Sequence, residues 1–356
     1  MKTVTPENML SNMWDQNDLP MEKLRNAENF FEALTEEFLF SIDGIAKHRP
    51  QEEIKKSIDW IKQRYPDVKC SEISNLVSSN VVVDGLSLNH LQSSIYRSNI
   101  TKYLKNQDCN LILEIGAGYG ALARELILAY PNVKYIIVDL EDVLSFSHRF
   151  LLEEFPDKKH TFLKDSQDLL NFDILYVSAQ NIDSHNLLKE ISGYDLCVNT
   201  CSFAEMTSQI VEYYMNLVQE LGVKYFYWFN RFNHRVSPQG ECILQIPSKT
   251  NITHFDAYPE FLKCPGNIMK EHGQNCEIFM ECNTEQSTTK DAFIILYKKY
   301  MQTKSLVDAE ALELVCRKND FGNFLRRLDM KAARTRARAA FRRHPHRIKE
   351  LKNEKN

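Results

Sequence analysis

Two different periodicities divide the chain. Through residues 5–65 apolar side chains return every three or four positions, at Met21, Leu24, Phe30, Phe31, Leu34, Phe38 and Leu39, the spacing of one helical face. Pro50 followed by Gln51, Glu52 and Glu53 starts a further helix, since a first turn has no use for the missing N–H and favours acids. Ile54, Ile58 and Ile61 mark its inner face until Pro66 stops it. From residue 106 the pattern changes to short runs that are apolar throughout, predicting strands at 111–115, 135–138, 174–178, 196–200 and 225–229. Helical segments follow the first, second and fourth. Runs without alternation belong to strands buried on both faces, and their alternation with helices predicts a parallel sheet in a three-layer α/β sandwich. Further strands are expected at 242–246, 277–281 and 292–298, antiparallel at the sheet edge. The expected organisation is a helical N-terminal subdomain at 1–105, an α/β domain at 106–300 and a helical tail at 301–356.

Charge separates the tail from the rest. The formal net charge of -4 conceals 14 Lys and Arg against 4 Asp and Glu in residues 317–356, leaving 30 basic and 44 acidic residues before them. Phe321, Phe324, Leu325, Leu328, Ala332 and Ala339 recur at mainly helical steps among Arg326, Arg327, Arg334, Arg338, Arg342 and Arg343, until Pro345. Two uses fit such a helix: its apolar stripe packs on the body, or residues 320–356 clamp a polyanion such as an anionic membrane surface or an acidic glycan. Nucleic acid is the weaker partner, because few aromatics accompany the arginines.

No apolar run approaches the roughly 20 residues that cross a bilayer, and the first fifteen residues lack the pattern of a signal peptide. The expectation is a soluble cytoplasmic protein, at most peripheral to the inner face of the membrane. The nine cysteines are odd in number and form no CxxC pair, which favours reduced thiols. Cys276, Cys282 and His272 fit no standard zinc spacing.

The string with chemical content is Leu113-Glu114-Ile115-Gly116-Ala117-Gly118-Tyr119-Gly120, an apolar strand entering glycines and then a helix. Glycines let the backbone turn sharply against a ligand, while a helix start offers free N–H groups and partial positive charge. A dinucleotide fold wants G-x-G-x-x-G, whereas the glycines here follow G-x-G-x-G, with Glu114 two residues before the first. That acid would sit badly beside a pyrophosphate but suits the ammonium of a methionine moiety. The next strand ends at Asp139, which can accept both hydroxyls of a ribose. The order strand, glycine loop, helix, strand, acid points to a class I S-adenosylmethionine-dependent methyltransferase. The candidate cofactor residues are Glu114, Gly116, Ala117, Gly118, Tyr119, Gly120, Asp139, Leu140, Thr200 and Ser202. A tight turn with Asp139 capping the next helix and an NAD-type dehydrogenase are the other readings.

Further motifs carry a family resemblance. Asn199-Thr200-Cys201-Ser202-Phe203-Ala204-Glu205-Met206, Tyr227-Trp228-Phe229-Asn230-Arg231-Phe232 and Ile137-Val138-Asp139-Leu140 resemble the sugar O-methyltransferase family of bacterial surface-polysaccharide gene clusters, over roughly residues 85–300. The resemblance implies a Rossmann-like fold, S-adenosylmethionine as cofactor and a sugar hydroxyl of a surface glycan or glycan precursor as acceptor. The competing functions are methyl transfer to another small molecule and a non-catalytic scaffold recruited through the basic tail.

A sugar hydroxyl is a poor nucleophile while protonated, so a general base is expected. His234 is the first candidate, because imidazole titrates near neutrality and follows the fifth strand; Glu205, just past the fourth, is the second. Each is equally compatible with an ordinary surface role. Asn230 and Arg231 are the candidate substrate-binding residues, Arg231 for an acidic group on the acceptor. Glu141 and Asp142 beside Asp139 are commonplace acids of a first helical turn, so no metal is assigned.

Overall fold

The computed structural model describes residues 26–35, 51–76, 79, 82–105, 107–231, 250–256 and 275–282. Its helices are α1 (Phe30–Ala33), α2 (Gln51–Arg64), α3 (Leu88–Tyr103), α4 (Ala121–Ala129), α5 (Glu141–Glu154), α6 (Ile182–Leu187) and α7 (Ser208–Glu220). The strands are β1 (Leu111–Ile115), β2 (Lys134–Asp139), β3 (His160–Phe162), β4 (Ile174–Ser178), β5 (Leu196–Thr200), β6 (Tyr225–Arg231), β7 (Thr250–Asp256) and β8 (Asn275–Cys282). They form one sheet in the order β3-β4-β2-β1-β5-β6-β8-β7. The first six are parallel to one another, while β8 runs antiparallel to both β6 and β7.

The two faces of the sheet hold separate cores, as strands with alternating side-chain directions require. Leu111, Leu113 and Ile115 of β1 join Ile136, Val138, Val177, Phe226 and Trp228 under Ile210, Tyr214 and Val218 of α7. Ile112, with Tyr135, Ile137, Tyr176, Val198 and Phe229, packs under Leu91, Ile95 and Ile100 of α3, Leu122 and Leu126 of α4, and Phe146 and Phe150 of α5. This is the expected Rossmann-like three-layer sandwich with a mostly parallel sheet. Phe30, Phe31, Ile54, Ile58 and Ile61 of α1 and α2 belong to the second core, so residue 105 separates two segments of sequence but not two units of packing.

The five expected parallel strands are present, and the antiparallel strand expected at 277–281 lies within β8. Two strands were not legible: β3 is only three residues long, and β7 is a polar edge strand with a register shift between Ile252 and His254. The segments 242–246 and 292–298, His234 and the basic tail at 320–356 lie outside the described residues.

Strand order decides where a ligand can sit. The chain runs from β1 through β2 to the edge strand β3, fills the place between them with β4, then crosses to the other side of β1 with β5. At such a reversal the loops leaving adjacent strands diverge, opening a crevice beyond their carboxyl ends. The glycine loop leaves β1 at that point.

Candidate functional site

The loop after β1 is bent by three glycines with positive φ, Gly116 (72°), Gly118 (60°) and Gly120 (96°). Gly116 N–H still donates to Val138 O at 2.8 Å, so β1 remains paired as the turn begins. A Cβ on Gly118 would have nothing within 4 Å. The loop therefore presents bare backbone to open space, as the close approach of a ligand requires. Gly120 caps α4 without any side-chain hydrogen bond, leaving the helix start available to a ligand's acceptor groups.

Asp139, at the end of β2, faces this loop. Its Oδ2 accepts from Gly118 N–H at 2.8 Å and its Oδ1 from Leu140 N–H at 2.7 Å. Burial pushes its pKa up to about 7; the two N–H bonds oppose that rise and the negative charge of Glu205 adds to it. Glu205 ends the 3₁₀ turn Ser202–Glu205 that follows β5, so the ends of β2 and β5 contribute acids to one electrostatic environment. Leu140 is the extended N-cap of α5, and Thr200 ends β5 in register with Phe229.

Beneath the loop, side-chain amides lock three strand ends together. Asn199 Nδ2 donates to Ile115 O and to Ser202 Oγ, both at 2.6 Å, and Asn199 Oδ1 accepts from Asn230 Nδ2 at 2.8 Å. Ser202 Oγ also donates to Ile115 O at 3.2 Å. Ser202 thus lies against the turn at Gly116. Asn230 is fully buried and its Oδ1 accepts from Ala204 N–H. The expected contact of Asn230 with an acceptor is therefore corrected: its amide is consumed in holding β5, β6 and the 3₁₀ turn together.

Two further candidate cofactor residues also take up different places from those expected. Glu114 is 1% exposed and accepts from Tyr135 Oη at 2.7 Å, and burial pushes its carboxyl up to about 8. It lies under the loop, closed to direct contact with a ligand's ammonium. Tyr119 is buried against α3: its Oη donates to Asn89 Oδ1 at 3.1 Å and lies 3.1 Å from His90 Nε2. Ser87 Oγ is 2.8 Å from His90 Nδ1. Burial holds His90 at about 3, so its neutral ring accepts from Ser87 and donates to Tyr119. Ala117 keeps its place in the loop, half-buried. Arg231 ends β6 opposite Asn275.

The carboxyl end of β4 belongs to the same region but was not foreseen. Asp139 pairs with Ser178 in register, Ala179 N–H donates to Asp139 O at 2.7 Å, and Gln180 Oε1 accepts from Glu141 N–H at 3.1 Å. The strand was legible; its adjacency to β2 was not. Among the described residues no group of three or more His, Cys, Asp or Glu is placed to hold a metal ion, and no helix is long and apolar enough to cross a membrane.

A family model described as an O-methyltransferase domain matches residues 78–166, about a quarter of the chain, spanning the glycine loop and Asp139. No curated protein sequence matches. Among solved structures, the chain is similar to magnesium protoporphyrin IX methyltransferase from Synechocystis PCC 6803 with bound SAM, at 11% identity and a TM-score of 0.34, covering 57% of this chain and 88% of that one. It is also similar to the N-terminal domain of EvdMO1 with SAH bound, at 12% identity and a TM-score of 0.33, covering 63% and 95% respectively.

Proposed function

We propose that this protein is an S-adenosylmethionine-dependent O-methyltransferase acting on a sugar hydroxyl of a surface glycan or glycan precursor. The carrying observation is Asp139 bonded to Gly118 N–H at the reversal of strand order: the acid closing β2 is held against the glycine turn that leaves β1. The match of residues 78–166 to an O-methyltransferase domain supports the reaction class, and the resemblance of the motifs after β5 and β6 supports the sugar.

Asp139 would hold the ribose hydroxyls, and the backbone of Gly116 to Gly120 with the start of α4 would hold the amino-acid end. Glu114 contributes by packing beneath the turn. When bound, S-adenosylmethionine supplies a methyl carbon to which the acceptor oxygen bonds as the carbon–sulfur bond breaks, its electron pair staying on sulfur. This chain's part is to hold the acceptor oxygen about 3–3.5 Å from that carbon and to keep water out. Glu205 would take the hydroxyl proton, a step worth about 10²- to 10⁴-fold. Residues 320–356, by their charge, would bring the protein to an anionic surface where a lipid-linked acceptor resides.

Isothermal calorimetry with S-adenosylmethionine tests the cofactor, saturable binding being the expected result. Mass spectrometry of the host's surface glycan with and without the protein tests the acceptor, and an unchanged methyl content would remove the sugar from the reading.

A further inference from the structure

One face of α3 carries a polar stripe that runs from the glycine loop to β8. Asn89, Gln92, Tyr96, Asn99 and Tyr103 recur at alternating three- and four-residue steps, so they lie along one line of the helix. The two ends of the stripe hold different parts of the molecule. Asn89, with His90 beside it, takes the hydroxyl of Tyr119 in the glycine loop. In the middle, the Tyr96 ring lies 4.8 Å from that of Phe229, and its hydroxyl is bonded to Cys201, the first residue past β5. At the far end Asn99 Nδ2 and Tyr103 Oη donate to the buried Glu277 of β8 at 2.8 and 3.2 Å, and Tyr227 Oη joins them at 2.6 Å. The helix therefore crosses the carboxyl end of the sheet from the cofactor loop to β8.

Gln92 differs from the other members of the stripe. It is half-buried, its Nε2 donates to Tyr96 Oη, and its Oε1 has no partner among the described residues. At about 1.5 Å per residue it stands about 4.5 Å along the axis from Asn89 and about 6 Å from Tyr96. It is thus between the residue that touches the glycine loop and the residue that touches the end of β5. Resting on the methyl-transfer reading, this interval lies between the turns that leave β1 and β5, the two strand ends bordering the reversal of strand order.

We propose that Gln92 binds the acceptor, its amide oxygen receiving a hydrogen bond from an acceptor hydroxyl, and that Tyr96, backed by Cys201, is the positioning residue that fixes the amide. An uncharged carboxamide matches a neutral, hydroxyl-bearing acceptor and takes no proton itself. A polyol such as a sugar satisfies it.

The test uses the full chain and needs no identified acceptor. A group enlarged on the sulfonium of the cofactor projects toward the acceptor side, so the S-propargyl analogue of S-adenosylmethionine should meet Gln92. By calorimetry the wild type should bind the analogue about tenfold more weakly than S-adenosylmethionine. Gln92→Ala and Gln92→Ser should keep S-adenosylmethionine affinity within about threefold and bring the analogue level with it. Overturning results are a wild type that does not discriminate, a gap that persists in both variants, or variants that melt normally yet lose S-adenosylmethionine. A wild type that binds no S-adenosylmethionine at all defeats the underlying reading itself, a distinguishable outcome.

Discussion

A β-carbon on Gly116 would lie 2.1 Å from Ser202 Oγ and 2.4 Å from its Cβ. The turn after β1 and the turn after β5 therefore occupy one another's side-chain space, and neither can be reshaped alone. Gly116 is needed twice, for this contact and for its φ of 72°. Gly116→Ala should reduce cofactor affinity by at least about tenfold, and adding Ser202→Gly should recover part of it. The residual deficit is the left-handed strain of about 1–2 kcal/mol. Calorimetry on the single and double variants checks this, and no recovery would mean that the serine is not what the alanine meets.

Asp139 makes both stability and binding depend on pH. Its folded pKa of about 7 lies above the ordinary 3.8, so the folded state binds the proton more tightly than the unfolded chain. The stabilisation is complete below the unfolded pKa and is lost as pH rises toward about 7. Asp139→Asn should flatten the fall in melting temperature across that window. Cofactor affinity should move oppositely in the wild type, weakening as pH drops below about 7, because ribose hydroxyls donate to the ionised form. The variant should bind more weakly by over about 1 kcal/mol and without that pH dependence.

For Glu114 the prediction is tolerance of a neutral isostere. A carboxyl with a pKa of about 8 is largely protonated at neutrality, and Tyr135 can donate equally well to an amide oxygen. Glu114→Gln should hold cofactor affinity within about threefold at pH 7 while Glu114→Ala, which strands Tyr135 Oη, should destabilise the fold by about 1–3 kcal/mol. A loss of binding far beyond threefold in the glutamine variant, measured by calorimetry, would restore direct contact with the ammonium.

Glu205→Gln separates chemistry from binding. Turnover should fall by about 10²- to 10⁴-fold, whereas cofactor affinity should hold or improve, since the variant removes a negative charge that disfavours ionised Asp139. Steady-state kinetics with labelled cofactor, run beside calorimetry, distinguish the two effects. Unchanged turnover would hand the base role to another residue.

Asn230→Ala should act on the fold. It leaves Asn199 Oδ1 without its 2.8 Å partner in a fully buried setting, costing about 1–3 kcal/mol. Chemical denaturation measures that loss; wild-type stability would contradict the amide lock.

Much of the architecture was legible because periodicity is a local signal. Leu111 to Ile115 and Leu196 to Thr200 are buried strands whatever their neighbours, and a G-x-G-x-G loop before a helix declares a backbone that must turn. The polar contacts were not legible. Asn199, Asn230, Tyr119 and Gln92 are ordinary polar letters in the chain, and nothing in their spacing distinguishes one that meets a ligand from one spent on another side chain. Asn230 was expected at the surface of the site and lies beneath it; Gln92, in a helix with no catalytic motif, came to notice only because its neighbours in space leave half its amide unused.

By itself, then, the sequence determined the five buried parallel strands and the helices after the first, second and fourth of them, the bend after β1 and the presence of an acid at the end of β2, each set by steric and hydrophobic preferences of adjacent residues. Only the tertiary structure decided that Asp139 meets Gly118, that Ser202 fills the space beside Gly116 and that α3 crosses the carboxyl end of the sheet. Those outcomes depend on which strands lie side by side, and strand order follows from burying both faces of the sheet at once, a condition on the whole chain that no local window contains.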